Sequence, residues 1–458
     1  MLRKIRIAAA AFFFVLTTLL FLDFTGTLHA WFGWMAKIQF LPALLALNVG
    51  VVAFLVILTL LFGRVYCSVI CPLGVMQDIV SWASGKRRKH RNRFAYSPAL
   101  TWLRRGMLVV FVAAMLAGVG SLLAPYSAYG RIASNLLAPV YAWGNNLLAY
   151  IAGRMDSYAF YSVDVWMKSL STLLVAVVTF AVLFVLAWRS GRTYCNTICP
   201  VGTVLGFLAR YSLFKPRFDT SKCNGCKLCA RNCKASCIDP AAHKIDYSRC
   251  VACMDCLENC RQGAITYTLR RRKPDPAPAP QRPAADTAKT PSDASRRRFL
   301  GLAGIVAYSA LRAQEKKVDG GLAVIVDKKI PNRATPVVPP GAQSLRHFNA
   351  HCTGCQLCVS VCPNQVLRPS GKLMTLMQPE MSFERGYCRP ECTKCAEVCP
   401  TGAIRLTDLA GKSSIQIGHA VWIAENCVVN TDGVSCNNCA RHCPAGAIKM
   451  VRRDPDDP

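Results

Sequence analysis

Four stretches of the chain are apolar for about the 20 residues that a helix needs to cross a bilayer. They cover residues 5–24, 41–62, 106–126 and 169–188, and each predicts a membrane helix. A fifth uncharged stretch, residues 132–153, contains Asn135, Pro139, Asn145 and Asn146. Those polar and helix-breaking residues predict an interfacial or re-entrant element outside the cytoplasm. Beyond residue 215 the long apolar runs end, and short segments rich in cysteine replace them. The pattern therefore predicts an α-helical four-helix membrane domain followed by small α+β folds.

Charge orients the helices. Arg3, Lys4 and Arg6 precede the first run, and Lys86 to Arg105 hold a dense basic cluster between the second and third. The two intervening loops on the other side carry few basic residues, so the positive-inside rule places both ends of the four-helix unit in the cytoplasm. This topology accounts for much of the formal net charge of +30. The basic loop lacks interleaved aromatics, and no nucleic-acid-binding motif occurs, so a nucleic-acid partner is not expected.

An internal repeat supports the same layout. GRVYCSVICPLG begins at Gly63 and GRTYCNTICPVG at Gly191, both reading G-R-x-Y-C-x-x-I-C-P-x-G. Each follows the second helix of a pair, so both should lie on one face. Composition then divides the rest. Residues 1–215 form the helical domain and 216–270 a cysteine-rich fold. Residues 271–294 are a Pro/Ala-rich linker that cannot form a core. Residues 295–317 begin Ser-Arg-Arg-Arg-Phe-Leu and continue apolar, matching a twin-arginine export signal or a basic-ended anchor. Residues 318–458 form a second cysteine-rich region, which export would place outside the cytoplasmic membrane.

The 25 cysteines are bunched, unlike the scattered pairs of a disulfide framework. C-x-x-C-x-x-C-x-x-x-C occurs in full three times: Cys223, Cys226, Cys229, Cys233; Cys250, Cys253, Cys256, Cys260; and Cys352, Cys355, Cys358, Cys362. Three thiolates in a tight loop suit one corner of a [4Fe–4S] cubane, and the fourth commonly serves a partner cluster. Zinc knuckles rarely add a fourth cysteine at that offset. Exchange within the first two motifs predicts one cluster on Cys223, Cys226, Cys229 and Cys260. The other would use Cys250, Cys253, Cys256 and Cys233, with Cys237 a competitor for Cys233.

Two variants, Cys388, Cys392, Cys395, Cys399 and Cys427, Cys436, Cys439, Cys443, end in C-P and continue into TGAI and AGAI, each predicting a turn and short strand. Together the motifs predict about five clusters. How the three C-terminal motifs exchange ligands cannot be read from spacing. The C-x-x-x-C-P pairs, Cys67/Cys71 and Cys195/Cys199, are candidate metal ligands or structural helix-end residues.

Absences narrow the electron source. No C-x-x-C-H haem site and no Gly-rich dinucleotide fingerprint occurs. His29, the one histidine near the apolar runs, is expected to be an interfacial polar residue. No catalytic residue stands out, and elimination leaves a lipid quinol as donor.

Residues 1 to about 270 resemble the NapH-type membrane quinol dehydrogenase subunits, on the paired G-R-x-Y-C-x-x-I-C-P-x-G repeats and the two-cluster end. Residues 295–458 resemble their twin-arginine-exported NapG-type polyferredoxin partners, although those usually carry four cluster motifs and this chain three. The resemblance implies electron transfer from quinol through [4Fe–4S] clusters to an unidentified respiratory reductase or electron carrier. It also implies a multi-pass protein of the cytoplasmic membrane. The competing reading is a redox-sensing or metal-handling assembly factor for a respiratory oxidase.

Overall fold

The computed structural model describes residues 1–87, 93–117, 122–165, 167–269, 335–384, 386–418, 420–443 and 446–451. All of the linker 271–294, the twin-arginine segment 295–317 and residues 318–334 lie outside these residues. α1 (Leu2–Leu22) follows the first apolar run and stops at Asp23, whose carboxylate accepts from the backbone N–H groups of Thr25, Gly26 and Leu28. That turn leads through α2 (Thr27–Phe32), α3 (Trp34–Lys37) and α4 (Phe40–Leu45).

The second apolar run is not one helix. Leu47 takes a left-handed φ of 53°, and Asn48 accepts from Val51 N–H to start α5 (Val49–Phe62) afresh. α5 therefore has only 14 residues. The third run is also shorter than expected: α8 (Thr101–Leu116) has 16 residues, and by Pro125 a new helix has begun. Among the described residues only α1 and α11 (Leu170–Ser190), 21 residues each, are long and apolar enough to cross a membrane.

Between them, α9 (Pro125–Ile132) is buried throughout and runs through a π-helical turn into α10 (Ala138–Arg154), which has no buried residue. The asparagines of this segment tie down the chain that follows. Asn145 donates to Tyr161 O at 2.9 Å, and Asn146 exchanges two 2.8 Å bonds with the Val163 backbone.

The repeats fold alike. α5 leads through Gly63 to α6 (Val65–Val69) and α7 (Pro72–Gly85), while α11 leads through Gly191 to α12 (Thr193–Thr197) and α13 (Pro200–Ala209). Gly63 and Gly191 both take positive φ, 73° and 67°, which lets each long helix turn sharply. Pro72 and Pro200 open the last helix of each repeat, where the missing N–H costs nothing.

Two small folds cap opposite ends of the long helices. In the first, β1 (Phe214–Phe218) pairs antiparallel with β4 (Ile265–Leu269), and β2 (Ile238–Asp239) with β3 (Lys244–Ile245). It sits at the start of α1 and the end of α5. Arg3 pairs with Asp255 at 2.9 Å and with Glu258, and Phe214 stacks on Phe62. The second fold, residues 335–415, pairs β5 (Leu367–Pro369) with β6 (Pro379–Met381). It meets the opposite helix ends: Lys394 donates to Thr25 O at 3.1 Å and Lys168 to Val359 O at 3.3 Å. Asn135 donates to Gln356 Oε1 at 2.9 Å. A 21-residue helix such as α1 spans about 30 Å, which sets the scale of their separation.

The expected region 318–458 divides. Residues Gln416–Pro458 form a separate unit with short helical turns at Val428–Thr431 and Asn438–Arg441, and none of its described residues is buried. The strand expected from TGAI does not form. Ile404 is buried, but the backbone there makes one backbone–backbone bond among the described residues, Arg405 N–H to Gly341 O, too little for a ladder. No strand forms after AGAI among the described residues either. At Gly263-Ala264-Ile265, by contrast, β1 lies alongside and β4 does form.

Candidate iron–sulfur centres

The first capping fold brings its cysteines together in two sets drawn from both motifs. Cys223, Cys226, Cys229 and Cys260 line one pocket of about 320 Å³. Cys250, Cys253 and Cys256 share a second with Cys233 and Cys237. Each Cys-x-x-Cys loop turns tightly because a residue ahead of the short helix, Lys227 or Met254, takes a left-handed φ.

Both competitors for the fourth position thus reach the second set, and their chemistry separates them. Their sulfurs lie 3.5 Å apart. The hydrogen bond from Cys237 draws the Cys233 thiol down to about 7, despite burial. The same partner lowers Cys250, while Cys237 itself is pushed well above the ordinary thiol range. Within this hydrogen-bonded pair the Cys233 thiol is lowered and the Cys237 thiol raised.

The second fold also groups cysteines from two different motifs. Cys352, Cys355 and Cys358 line a pocket with Cys399, not Cys362. Cys362 instead lies within electrostatic reach of Cys388 and Cys395, beside Cys392. The buried Lys412 ammonium donates to Arg389 O and Cys392 O in the same loop. In the separate unit, Cys443 Sγ accepts from Ala447 N–H at 3.3 Å, and Cys427 opens the helix Val428–Thr431.

The C-x-x-x-C-P pairs come from residues far apart in sequence yet form one buried site. Arg64 crosses to the second repeat, donating to Cys195 O at 3.1 Å, Asn196 Oδ1 at 2.8 Å and, in its own repeat, Cys67 Sγ at 3.8 Å. Arg192 returns the arrangement, donating to Cys67 O at 2.8 Å and Cys195 Sγ at 3.8 Å. The glycine of C-P-x-G makes room for this exchange. A Cβ on Gly74 would lie 2.6 Å from Arg192, and one on Gly202 would lie 2.8 Å from Arg64. The repeat is thus a pseudo-two-fold pair whose arginines swap partners.

Beside it, Asp78 accepts from Arg192 at 2.7 Å, Arg6 at 3.0 Å and Lys234 at 3.1 Å. Lys234, the residue that stands where a proline usually follows the fourth cysteine, also pairs with Asp255 at 3.0 Å. This network joins the first fold to both repeats. Neither Arg64 nor Lys234 was expected from the sequence to matter, and only the repeat itself hinted at the arginine.

His29 is more deeply held than its expected interfacial role implies. Its ring contacts Asp23 at 3.1 Å and its side chain is only 6% exposed. Among the described residues, no three His, Cys, Asp or Glu side chains close to single-ion spacing. Thiols bound to one zinc at about 2.3 Å must crowd together, whereas a cluster holds them further apart.

A family model described as a 4Fe-4S binding domain matches residues 44–90 and 172–221, and one described as a 4Fe-4S dicluster domain matches residues 351–403. The chain carries ferredoxin-type 4Fe–4S domains. Each half of the first match contains one C-x-x-x-C-P pair and no other cysteine.

Three relatives extend the likeness. Uncharacterized protein MJ0749 of Methanocaldococcus jannaschii is 25% identical over 214 residues, 46% of this chain and 68% of its own. The methylamine utilization ferredoxin-type protein MauN of Paracoccus denitrificans is 28% identical over 172 residues, 37% of this chain and 48% of its own. The ferredoxin-type protein NapH of Escherichia coli is 29% identical over 195 residues, 42% of this chain and 55% of its own. The chain thus spans about half the length of the two bacterial relatives. No solved structure matches. These likenesses agree with iron–sulfur electron transfer and, with two apolar helices, weakly with membrane association.

Proposed function

We propose that the chain is a multi-pass conduit in the cytoplasmic membrane. It would take electrons from a lipid quinol and pass them through [4Fe–4S] clusters to a respiratory reductase or electron carrier. Cys223, Cys226, Cys229 and Cys260 would hold one cluster, and Cys250, Cys253, Cys256 and Cys233 a second. Cys352, Cys355, Cys358 and Cys399 would hold a third, with a fourth on Cys388, Cys392, Cys395 and Cys362. Cys427, Cys436, Cys439 and Cys443 supply a fifth set. Such clusters accept and release single electrons, while quinol oxidation yields a quinone, two electrons and two protons. The reading also takes the second capping fold as external, carried out by the twin-arginine segment.

One observation carries the quinol donor. A cavity of about 560 Å³ lies between the end of α1, the α10 region and the loop carrying Cys362. Phe21, Phe24, Tyr141, Trp143 and Tyr161 give it an aromatic wall suited to a flat, apolar ring. Asn135, Asp164 and Lys168 supply polar groups for the ring oxygens and the released protons. A ligand there would sit against a cysteine of the fourth cluster set, so electron transfer needs no long tunnelling step.

The test uses the full chain purified anaerobically in detergent, with a menaquinol analogue added and the clusters followed by electron paramagnetic resonance. Rapid reduction is expected, and Trp143→Ala should raise the quinol concentration for half-maximal rate several-fold. Clusters that dithionite reduces but quinol does not would overturn the donor assignment.

A further inference from the structure

We propose that Cys67, Cys71, Cys195 and Cys199 together ligate one iron–sulfur cluster inside the helical bundle, and that it relays electrons between the two capping folds. The relay role rests on the conduit reading, whereas the cluster itself does not.

Burial and mutual proximity come first. The four cysteines are 4%, 6%, 5% and 5% exposed, and their sulfurs lie within electrostatic reach of one another. Both repeats present them identically, one from a short helix and one at the start of the next. Further donors face the sulfurs. Gln77 Nε2 lies 3.3 Å from Cys195 Sγ, and Gly202 N–H lies 3.4 Å from Cys199 Sγ.

Charge gives the second argument. Arg64 and Arg192 are fully buried. Asp78 is shared among Arg192, Arg6 and Lys234, and Arg64 has no carboxylate among its described partners. Arg64 Nε and Arg192 Nη2 also lack hydrogen-bond partners. A buried guanidinium without a counter-charge is strongly unfavourable. α7 and α13, 14 and 10 residues long, add their positive N-terminal ends at Cys71 and Cys199. A four-thiolate iron–sulfur cluster, carrying about −2 when oxidised, supplies the missing negative charge.

Position supplies the role. Toward the first fold, Arg64 also donates to Ser248 O at 3.2 Å, two residues from Cys250. Toward the second fold, Tyr194, adjacent to Cys195, donates to Leu123 O at 3.4 Å. Arg131 there lies within electrostatic reach of both Tyr194 and Cys355. Folds at opposite ends of a helix bundle cannot exchange electrons directly at a useful rate, because tunnelling falls steeply with distance. A centre between them divides that gap. Each step oxidises the donor cluster by one electron and reduces the acceptor by one.

The experiment compares the full wild-type chain with a Cys67→Ser/Cys195→Ser double variant, both purified anaerobically and reduced with dithionite. Iron, acid-labile sulfide, copper, zinc and paramagnetic signals are measured. The double variant should lose about two to four irons per chain and one signal, with the remaining signals unchanged. Gln77→Leu keeps every thiol and removes one hydrogen bond to sulfur, so it should move one midpoint potential downward and leave the others in place. This second variant decides the matter if the double variant does not fold.

Unchanged iron and sulfide in the double variant, or copper or zinc lost in place of iron, would overturn the proposal. So would a Gln77→Leu titration in which no midpoint moves. None of these measurements uses quinol, so failure of the donor assignment leaves them intact. If quinol does reduce the wild type, the double variant should still reduce the clusters of the second fold quickly and those of the first fold only slowly. Equal rates in both folds would overturn the relay role alone.

Discussion

At Gly74 and Gly202 a single hydrogen atom decides whether the repeats can interlock. A Cβ on Gly74 would stand 2.3 Å from Cys67 O as well as 2.6 Å from Arg192, and one on Gly202 would stand 2.2 Å from Cys195 O. Gly74→Ala and Gly202→Ala should each destabilise the bundle by about 1–3 kcal/mol, the usual cost of overpacking. Gly144→Ala on α10 meets nothing within 4 Å and should instead gain up to about 1 kcal/mol from helix propensity. Thermal unfolding of the detergent-solubilised chain, followed by size-exclusion, checks the contrast. Equal effects at all three sites would remove the steric account. At this scale the sequence was half legible. The repeated glycine and arginine were visible as a pattern. The reason for them was not, because Arg64 and Cys195 are 131 residues apart and only folding brings them together. The competition between Cys233 and Cys237 was visible for the opposite reason, since both lie in one local loop.

Elements were legible where they depend on composition and not where they depend on one residue's backbone. An apolar window registers the run from 41 to 62 as one span. The left-handed turn at Leu47 and the Asn48 cap that divide it are local events that add no charge. The glycines ending α5 and α11 show how such a position controls an element. Gly63 and Gly191 have similar positive φ, so alanine at either strains the backbone by about 1–3 kcal/mol. Their surroundings differ. A Cβ on Gly63 meets nothing nearer than Ser212 Oγ at 3.9 Å, whereas one on Gly191 falls 2.5 Å from Lys234 O. Gly191→Ala must also displace the first capping fold, because Arg192 N–H donates to that same Lys234 carbonyl at 2.8 Å. Limited proteolysis at the exposed loop Arg261–Gly263 should therefore accelerate much more in Gly191→Ala than in Gly63→Ala. Matching rates would mean that the junction at Lys234 does not hold the fold in place.

For the whole molecule, two cysteine-rich folds at opposite ends of one helical bundle make a directional statement that neither fold makes alone. The spacing of the cysteines identified both folds, and the basic loops suggested which side holds the first. Their docking on opposite helix ends could not be read, because it rests on scattered polar contacts such as Arg3 with Asp255 and Lys394 with Thr25 O. If the bundle spans the membrane as proposed, the folds face different compartments. An epitope inserted at exposed Gln262 then reports on one side, and an epitope at exposed Leu406 on the other. In intact spheroplasts, antibody should reach the Leu406 epitope without permeabilisation and the Gln262 epitope only after it. Access to both epitopes from one side would contradict a bundle that crosses the membrane between them. It would leave the case for a relay unchanged, since the gap between the folds is set by the length of helices such as the 21-residue α1 and not by the lipid.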